Sequence, residues 1–399
     1  MPSDQSTWLI AIPQDGDADG TLQELHAKLA SQAKSGPSIA QLPIPAFKVL
    51  TSYLLWTLDS LIALSEDLPK QDTFFTATVA KTVDTLRNLL NNDPTKLAQH
   101  VLVNERPVDE YLLQGWRWND GRYGVQRGLR EMLDVLIKEM TSIDNIMKSK
   151  LQGYNLAKGS LVQMQRKKTG NLSVRSLADI VQKDQFINDS EYMETLLVAV
   201  PKTLVKEWNT KYERLTAFVV PRSSTQIAAD DEYTLFAVVV FKRVHDEFVQ
   251  KCRENKFIVR DFVYSEDLIE KQKEELAAAD TTEKELWTEL LQLSRTNFSE
   301  AFQILVHLKM LHLFVESVLR YGLPANYIGF VVKPEPKSTK RTLATLQTQF
   351  AYLGRRSNPT SAKSNKSAAG DDLAGEYQTL LEQEFYDFVL FEVPWITLQ

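Results

Sequence analysis

Apolar residues in this chain change their spacing several times, and each change marks a predicted element. Trp8 to Ile12 is a short uninterrupted apolar run that reads as a strand. Leu22, Leu25 and Leu29, and then Leu54, Leu58, Leu61 and Leu64, recur at helical spacing and predict two amphipathic helices. Asn91-Asn92 followed by Asp93-Pro94 ends a helix by supplying turn chemistry and a residue without an amide donor. From Arg122 a near-heptad seam runs through Val125, Leu129, Met132, Leu136, Met140, Ile143, Met147, Leu151 and Tyr154, with no proline between Val108 and Val200. A helix continuing to about Gln165 would be ~65 Å long at 1.5 Å per residue. Gly153 and Gly159 are its least helical positions.

Between Ser173 and Phe262 the period shortens. Leu196 to Val200, Ala217 to Val220, Tyr233 to Phe241 and Phe257 to Phe262 read as strands, and Lys202 to Leu215 and Val244 to Asn255 as helices. The block is predicted to be an α+β domain with a four-stranded antiparallel sheet. Helical spacing resumes at Ser265. Phe298, Phe302, Leu305, Leu308, Leu311, Val315, Val318 and Leu319 then form a strongly apolar helix that stops at Gly322-Leu323-Pro324. Tyr327 to Val332 and Phe385 to Val393 read as strands. Residues 355–374, rich in Ser, Ala, Lys and Asn without periodicity, read as a disordered loop.

Charge sharpens this division. Arg122 to Lys168 carries ten basic residues and four acidic ones, whereas Ser265 to Glu289 carries three basic and nine acidic. A block inserted between two long helices sends the chain out and returns it, so these helices are expected to lie antiparallel with opposite charges facing. The alternative is that each run is only a solvated helix face, where exposed pairs contribute ~0.2–1 kcal/mol. The predicted architecture is helix-rich α+β, an elongated dumbbell: a foot from 1–121 and 292–399, neck helices over 122–169 and 264–291, and a head over 170–263.

Composition narrows the function. With 399 residues, 43% of them hydrophobic and 25% charged, the chain matches globular proteins, and Gly and Pro together are only 30 residues. A net charge of −6 argues against nucleic acid as the main partner. The single cysteine, Cys252, excludes an internal disulfide and fits a reducing compartment. The first twelve residues lack a signal-peptide pattern and no window reaches ~18 apolar residues, so a cytosolic or peripheral location without membrane insertion is expected.

Catalytic signals are weak. Gly153 to Ser160 (GYNLAKGS) has the residue types of a phosphate loop but places Lys158 before Gly159, the reverse of what the lysine needs to reach a terminal phosphate. His307 and His312 are five apart, off the spacing of two helical metal ligands. His245 and Cys252 could share a helix face but lack an evident orienting group, and Asp230-Asp231 sits in an expected surface loop. No catalytic residue, metal or cofactor is expected. Arg222, Arg253, Lys256, Phe257 and Arg260, cations interleaved with apolar residues, have the composition of a protein-interface anchor. Gly153 with Gly159 is read either as a hinge or as a close helix crossing that needs small residues.

The segments YNLAKGSLVQMQRKKTGNLSVRSLADIV (154–181), DSEY (189–192), VVPRSS (219–224), RENKFIVRDF (253–262) and NFSEAFQILVHLKMLHLFVESVLRYGLP (297–324) closely resemble the C-subunit of the vacuolar-type proton ATPase. The resemblance runs from Trp8 to the C-terminal strand and is weakest before residue 120 and over 355–374. It implies a head, neck and foot and a non-catalytic place in the stator. There a protein of this family clamps peripheral stalks, built from the E and G subunits, to the cytosolic domain of the membrane a-subunit, and takes part in reversible assembly. Some members bind actin, so an actin-binding or regulatory adaptor of the same architecture is the alternative. The chain alone is expected to be a monomer.

Overall fold

β1 (Thr7–Pro13) is apolar at consecutive positions because both its faces are covered. The computed structural model describes residues 6–14, 18–30, 37–47, 54–178, 180–187, 190–262, 266–335, 337–357 and 386–394. After β1 come α1 (Ala18–Ala30), β2 (Ser38–Leu42), α2 (Leu54–Leu89), α3 (Pro94–His100), β3 (Leu102–Val103), β4 (Arg106–Pro107), α4 (Val108–Glu110), α5 (Asp120–Tyr123) and α6 (Leu129–Thr169). Next are β5 (Met193–Pro201), α7 (Val205–Lys211), β6 (Thr225–Ala229), β7 (Tyr233–Phe241), α8 (His245–Glu254) and β8 (Ile258–Arg260). α9 (Glu266–Tyr321), β9 (Tyr327–Lys333), α10 (Thr339–Ser357) and β10 (Val389–Val393) complete the order. The chain divides into two compact units: residues 1–150 with 290–399, and residues 151–289.

In the first unit the sheet order is β10-β1-β9-β2, every pair antiparallel. Leu9, Ala11, Leu42, Val331 and Val389 face a core built from Phe298 to Val318 of α9, from α2 and from the start of α6. Trp8, Ile10, Ile12, Phe330 and Val332 face the other way, onto Leu25 and Leu29 of α1 and Leu343, Leu346, Phe350 and Leu353 of α10. The period-two alternation is intact, but burial on both sides hides it from the sequence. Gly329 is required by packing: a Cβ there would lie 2.6 Å from the Leu42 carbonyl oxygen.

Local chemistry sets the helix ends. Asp93 is an N-cap whose carboxylate accepts the amides of Thr95 and Lys96 at 3.0 and 3.3 Å, and Pro94 fills the first helical position. The Asp-Pro pair therefore starts α3, besides following the Asn91-Asn92 turn that ends α2. Gly322 follows α9 at φ +79, the left-handed terminator expected from its sequence. An 18-residue window of α9 has a mean hydropathy of 1.4, so the expectation that no window is apolar enough for a membrane needs amending, yet 83% of that window is buried inside the protein. It is a core helix.

Several predicted elements move. The strand expected over Ala217–Val220 is only an isolated bridge from Val219 to Val240, with Thr225–Ala229 the edge strand instead, and the strand expected over Phe257–Phe262 narrows to Ile258–Arg260. The long basic helix begins at Leu129, not Arg122, because Asn119 caps the short α5 and Gly124 to Gly128 intervene. α10 runs to Ser357, so residues 355–357 are helical, and the rest of the expected loop, 358–374, lies outside the described residues.

In the second unit β5, α7, β6, β7, α8 and β8 follow one another, and the sheet order is β6-β7-β5-β8, all antiparallel. This is a split β-α-β arrangement of the ferredoxin-like kind. Its halves repeat at 40 residues. β5 and β7 each have nine residues, each is followed by a three-residue 3-10 turn, and each turn leads into a helix. Trp208 and Phe248 occupy equivalent, fully buried positions, and Tyr212 and Cys252 occupy a second pair of equivalent buried positions. Both helices cover the face made by Leu196, Val198, Val200, Phe236, Val238 and Val240. The opposite face, Leu197, Ala199, Leu235 and Ala237, is covered by Leu172, Leu177 and Val181 from the segment after α6.

Two histidines lie in the core of the first unit. His307 sits among Trp116, Trp118 and Tyr123, with ring centroids 5.8, 4.9 and 4.9 Å away. Its Nδ1 lies 2.7 Å from the Gln303 carbonyl oxygen and its Nε2 accepts the Asn119 amide at 3.1 Å, which assigns the proton to Nδ1. Beside it Tyr123 donates to Glu139 at 2.6 Å, and Arg122 spans Glu139 and Glu300 at 2.9 and 2.8 Å. His312 stacks on Phe391 at 4.1 Å. Burial pulls both imidazoles down to about 4, with Lys309 adding to the effect at His312.

These histidines stay neutral in the folded chain, whereas in the unfolded chain each takes a proton near 6.5. Their contribution to stability is therefore present above pH 6.5 and lost as pH falls towards 4. Chemical denaturation at pH 7 and pH 4.5 should show a loss smaller by about 2 kcal/mol in His312→Leu than in the unsubstituted chain. Equal losses would show that His312 is not a source of the pH dependence.

Candidate functional site

The middle unit holds the cations that sequence composition marks as an interface. Arg222 lies in the segment between α7 and β6, at φ +61, and its amide donates to Glu213 Oε1 at 2.9 Å. The same Glu213 oxygen accepts the Tyr212 hydroxyl at 2.9 Å. These two bonds, led by the Arg222 amide, hold the Glu213 carboxyl below the usual range. The side chain of Arg222 is exposed.

Arg253, Lys256 and Phe257 form the C-terminal cap of α8. The Phe257 amide donates to the Cys252 carbonyl at 2.8 Å and the Lys256 amide to the Arg253 carbonyl at 3.1 Å. Lys256 sits at φ +63. This is the Schellman arrangement, with lysine where glycine is usual. The hydrophobic contact that accompanies it explains Phe257, which is 2% exposed and meets Trp208 edge-on at 5.1 Å. Phe257 is thus a core residue and drops out of the expected contact surface. Ile258, the next residue, is the exposed one at 38%.

Arg260 is also used internally. Its guanidinium donates to the carbonyls of Ser173, Val174 and Arg175, the last two at 3.2 and 2.7 Å, fastening the segment after α6 to β8. Burial pulls its pKa down, as expected for a desolvated cation whose partners are dipoles.

The exposed cations lie on segments that join the sheet at opposite edges. Val219 bridges Val240 on the β6 side of β7, so the segment carrying Arg222 runs along one edge. Arg253 and Lys256 lead into β8, the strand at the other edge.

The remaining candidates have structural roles. Gly153 to Ser160 lies inside α6, whose ladder uses the amides that a phosphate loop must leave free. At Gly153 and Gly159 an added Cβ would meet nothing within 4 Å, so the close helix crossing is excluded as the reason for these residues. Cys252 is buried and its thiol pushed up to about 12, while His245 Nδ1 lies 2.7 Å from Glu194 Oε1, so the two make no nucleophile pair. Asp230 accepts amides from Leu172, Glu232 and Tyr233 at 2.6, 2.9 and 2.6 Å and thereby orders the β6–β7 turn. Among the described residues no group of three or more His, Cys, Asp or Glu is placed to hold a metal. A cleft of about 260 Å³ is lined by Lys167, Lys168, Ser176, Gln272, Lys273 and Glu275 over an apolar floor of Met164, Ala178 and Leu276.

Comparison with known proteins covers nearly all of the chain. The family model for the V-ATPase C-subunit matches residues 7–389. The V-type proton ATPase C-subunit of Manduca sexta is 36% identical over 386 residues, covering 97% of each chain. The form designated C 1-B in Danio rerio is 36% identical over 388 residues and the form designated C 1 in Rattus norvegicus 36% over 386, again covering 97% of both chains. The sequence resemblance seen in the helix and cap motifs extends over both units, and the chain belongs to the V-ATPase C-subunit family.

Proposed function

We propose that the chain is a non-catalytic part of the stator of a V-type proton ATPase. In this reading it clamps peripheral stalks of E and G subunits to the cytosolic domain of the a-subunit, supports reversible assembly, and resides in the cytosol or on the cytosolic face of vacuolar or other endomembranes. Membership of the C-subunit family over nearly the full length carries the reading. The polar groups that sequence motifs offer for catalysis have structural partners, which fits a binding role. Affinity purification of the tagged chain under native conditions should recover E and G. Recovery of actin without them would favour the adaptor alternative.

In the same reading residues 170–263 form a partner-binding head with cationic contacts at both sheet edges. Arg222→Glu with Arg253→Glu should weaken binding to an E–G heterodimer at least about tenfold, while thermal stability stays nearly unchanged because both side chains are exposed. Unchanged affinity would remove these edges from the interface.

The dumbbell belongs to the proposal too. A compact sphere of this length would be about 55 Å across, and small-angle scattering of the isolated chain should give a monomer with a maximum dimension well beyond that. A compact profile would remove the neck. Gly153 and Gly159 are proposed as the hinge in the neck. Replacing both by Ala should raise stability by about 1 kcal/mol per site and change affinity only in the assembled complex, not for isolated E–G. Equal affinities in both settings would rule the hinge out.

A further inference from the structure

One edge of the second unit's sheet gathers side chains that its folding leaves unused. Residues 218–220 lie against the end of β7: the Phe241 amide donates to the Phe218 carbonyl at 3.2 Å and the Val220 amide to the Val239 carbonyl at 3.0 Å. Cross-strand partners share a face of the sheet, so Phe218 stands beside Phe241, with ring centroids 5.9 Å apart. Phe241 in turn pairs with Met193 of β5. Val238 and Val240 face α7 and α8, so these three side chains lie on the opposite face. Leu172, Leu177 and Val181 cover that face only over Leu197, Ala199, Leu235 and Ala237. Phe218 lies beyond the covered part and is 40% exposed.

Charge is concentrated on the same edge. The guanidinium of Arg243 lies 3.4 Å from the centroid of the Phe218 ring, a stacked cation–π pair at the surface. Stacking fixes the plane of the guanidinium while using none of its five N–H donors. Among the described residues it forms no ion pair within 4 Å and no hydrogen bond, and the same holds for the guanidinium of Arg222 on the edge segment. Glu213 is occupied by the Arg222 amide and the Tyr212 hydroxyl, and Glu194 by His245 at 2.7 Å. Two unpaired guanidinium groups beside an exposed aromatic ring complement a carboxylate that sits next to an apolar side chain, because the planar fork takes a carboxylate through two parallel bonds. A net charge of −6 disfavours a polyanion such as nucleic acid at this edge.

We infer that Phe218 and Arg243 are the anchor of the Arg222 edge, and that this edge takes an acidic segment of a partner protein, one of whose apolar side chains covers Phe218 while an adjacent carboxylate meets Arg243. The inference rests on the reading of residues 170–263 as a partner-binding head and adds the chemistry of the partner. It also moves the aromatic of the contact from Phe257, which the core consumes, to Phe218, which the core leaves out.

The test measures the affinity of the full chain for an E–G heterodimer over a series of salt concentrations. Phe218→Ala and Arg243→Glu should each weaken binding about tenfold or more. Thermal midpoints should stay close to that of the unsubstituted chain, since both side chains are exposed; if charge reversal lowers the midpoint, Arg243→Gln decides in its place. Added salt should weaken the unsubstituted chain more steeply than Arg243→Gln, which lacks one charge pair. Arg243→Lys keeps the charge but loses the planar stack and the fork, and should fall between the two. Heterodimer binding that every variant leaves intact overturns the anchor while the reading of a partner-binding head stands, whereas no binding by the unsubstituted chain overturns both. A single-stranded oligonucleotide is titrated in parallel, and binding that depends on Phe218 and Arg243 there but not with the heterodimer overturns the acidic segment as occupant.

Discussion

The first unit depends on β1 being paired on both sides by strands from the far end of the chain. β9 and β10 flank it, so residues 7–13 are held in register with residues 327–333 and 389–393. Loop closure over more than 300 residues is entropically costly, though the cost grows only logarithmically with length. Burial of both sheet faces offsets it, at roughly 25 cal/mol per Å² of apolar surface removed from water. With the ends joined in this way, a segment that folds outside the unit must leave it and come back, and the chain crosses the unit boundary once within α6 and once within α9.

Legibility of the fold follows how strongly burial is written into spacing. β7 spans Tyr233–Phe241 as predicted, and β5, α8 and the apolar end of α9 lie where their patterns place them. β6 has no strand signature in the sequence because Thr225–Ala229 is an edge strand of short, half-exposed residues with a register shift between Gln226 and Ala228. β2 is an edge strand as well and is hidden for the same reason. α10 has a clear apolar stripe at Leu343, Leu346, Phe350 and Leu353, but after Lys340 and Arg341 its exposed residues are Ala344, Gln347, Thr348, Ala351 and Tyr352, with no acidic residue, so the charge alternation of a surface helix is missing. The 40-residue repeat is visible in principle: Lys202 and Lys242 follow the two apolar runs, and Trp208 and Phe248 lie six residues after each.

The candidate site is less legible, because one residue pattern serves two physical tasks. Basic residues followed by an aromatic describe an interface anchor, and they equally describe a helix that ends in a left-handed residue and tucks the next side chain under itself. In RENKF the second task decides the position of Phe257. Arg260 illustrates the same ambiguity, since a guanidinium has five donors and can close a loop by binding three carbonyls as readily as it can bind a partner's carboxylate. Composition cannot separate these outcomes. Strand order can, and it also puts Arg222 on the opposite sheet edge from Arg253 and Lys256.

Backbone conformation adds a discriminating fact. Among the described residues, the non-glycine positions with positive φ are Asn91, Asn92, Asn104, Glu105, Arg222, Lys256 and Lys337. Asparagine tolerates this region through local hydrogen bonding, but long side chains lose about 1–2 kcal/mol relative to the right-handed region. Glycine would fit each turn at lower cost. Three of the four residues that are not asparagine are exposed cations, and they fall at the two edges of the second unit's sheet and at the entry to α10. Capping Glu213 requires only the Arg222 amide, and ending α8 requires only the Lys256 amide. Neither interaction uses the charge. Local folding therefore explains the turns without explaining the cations.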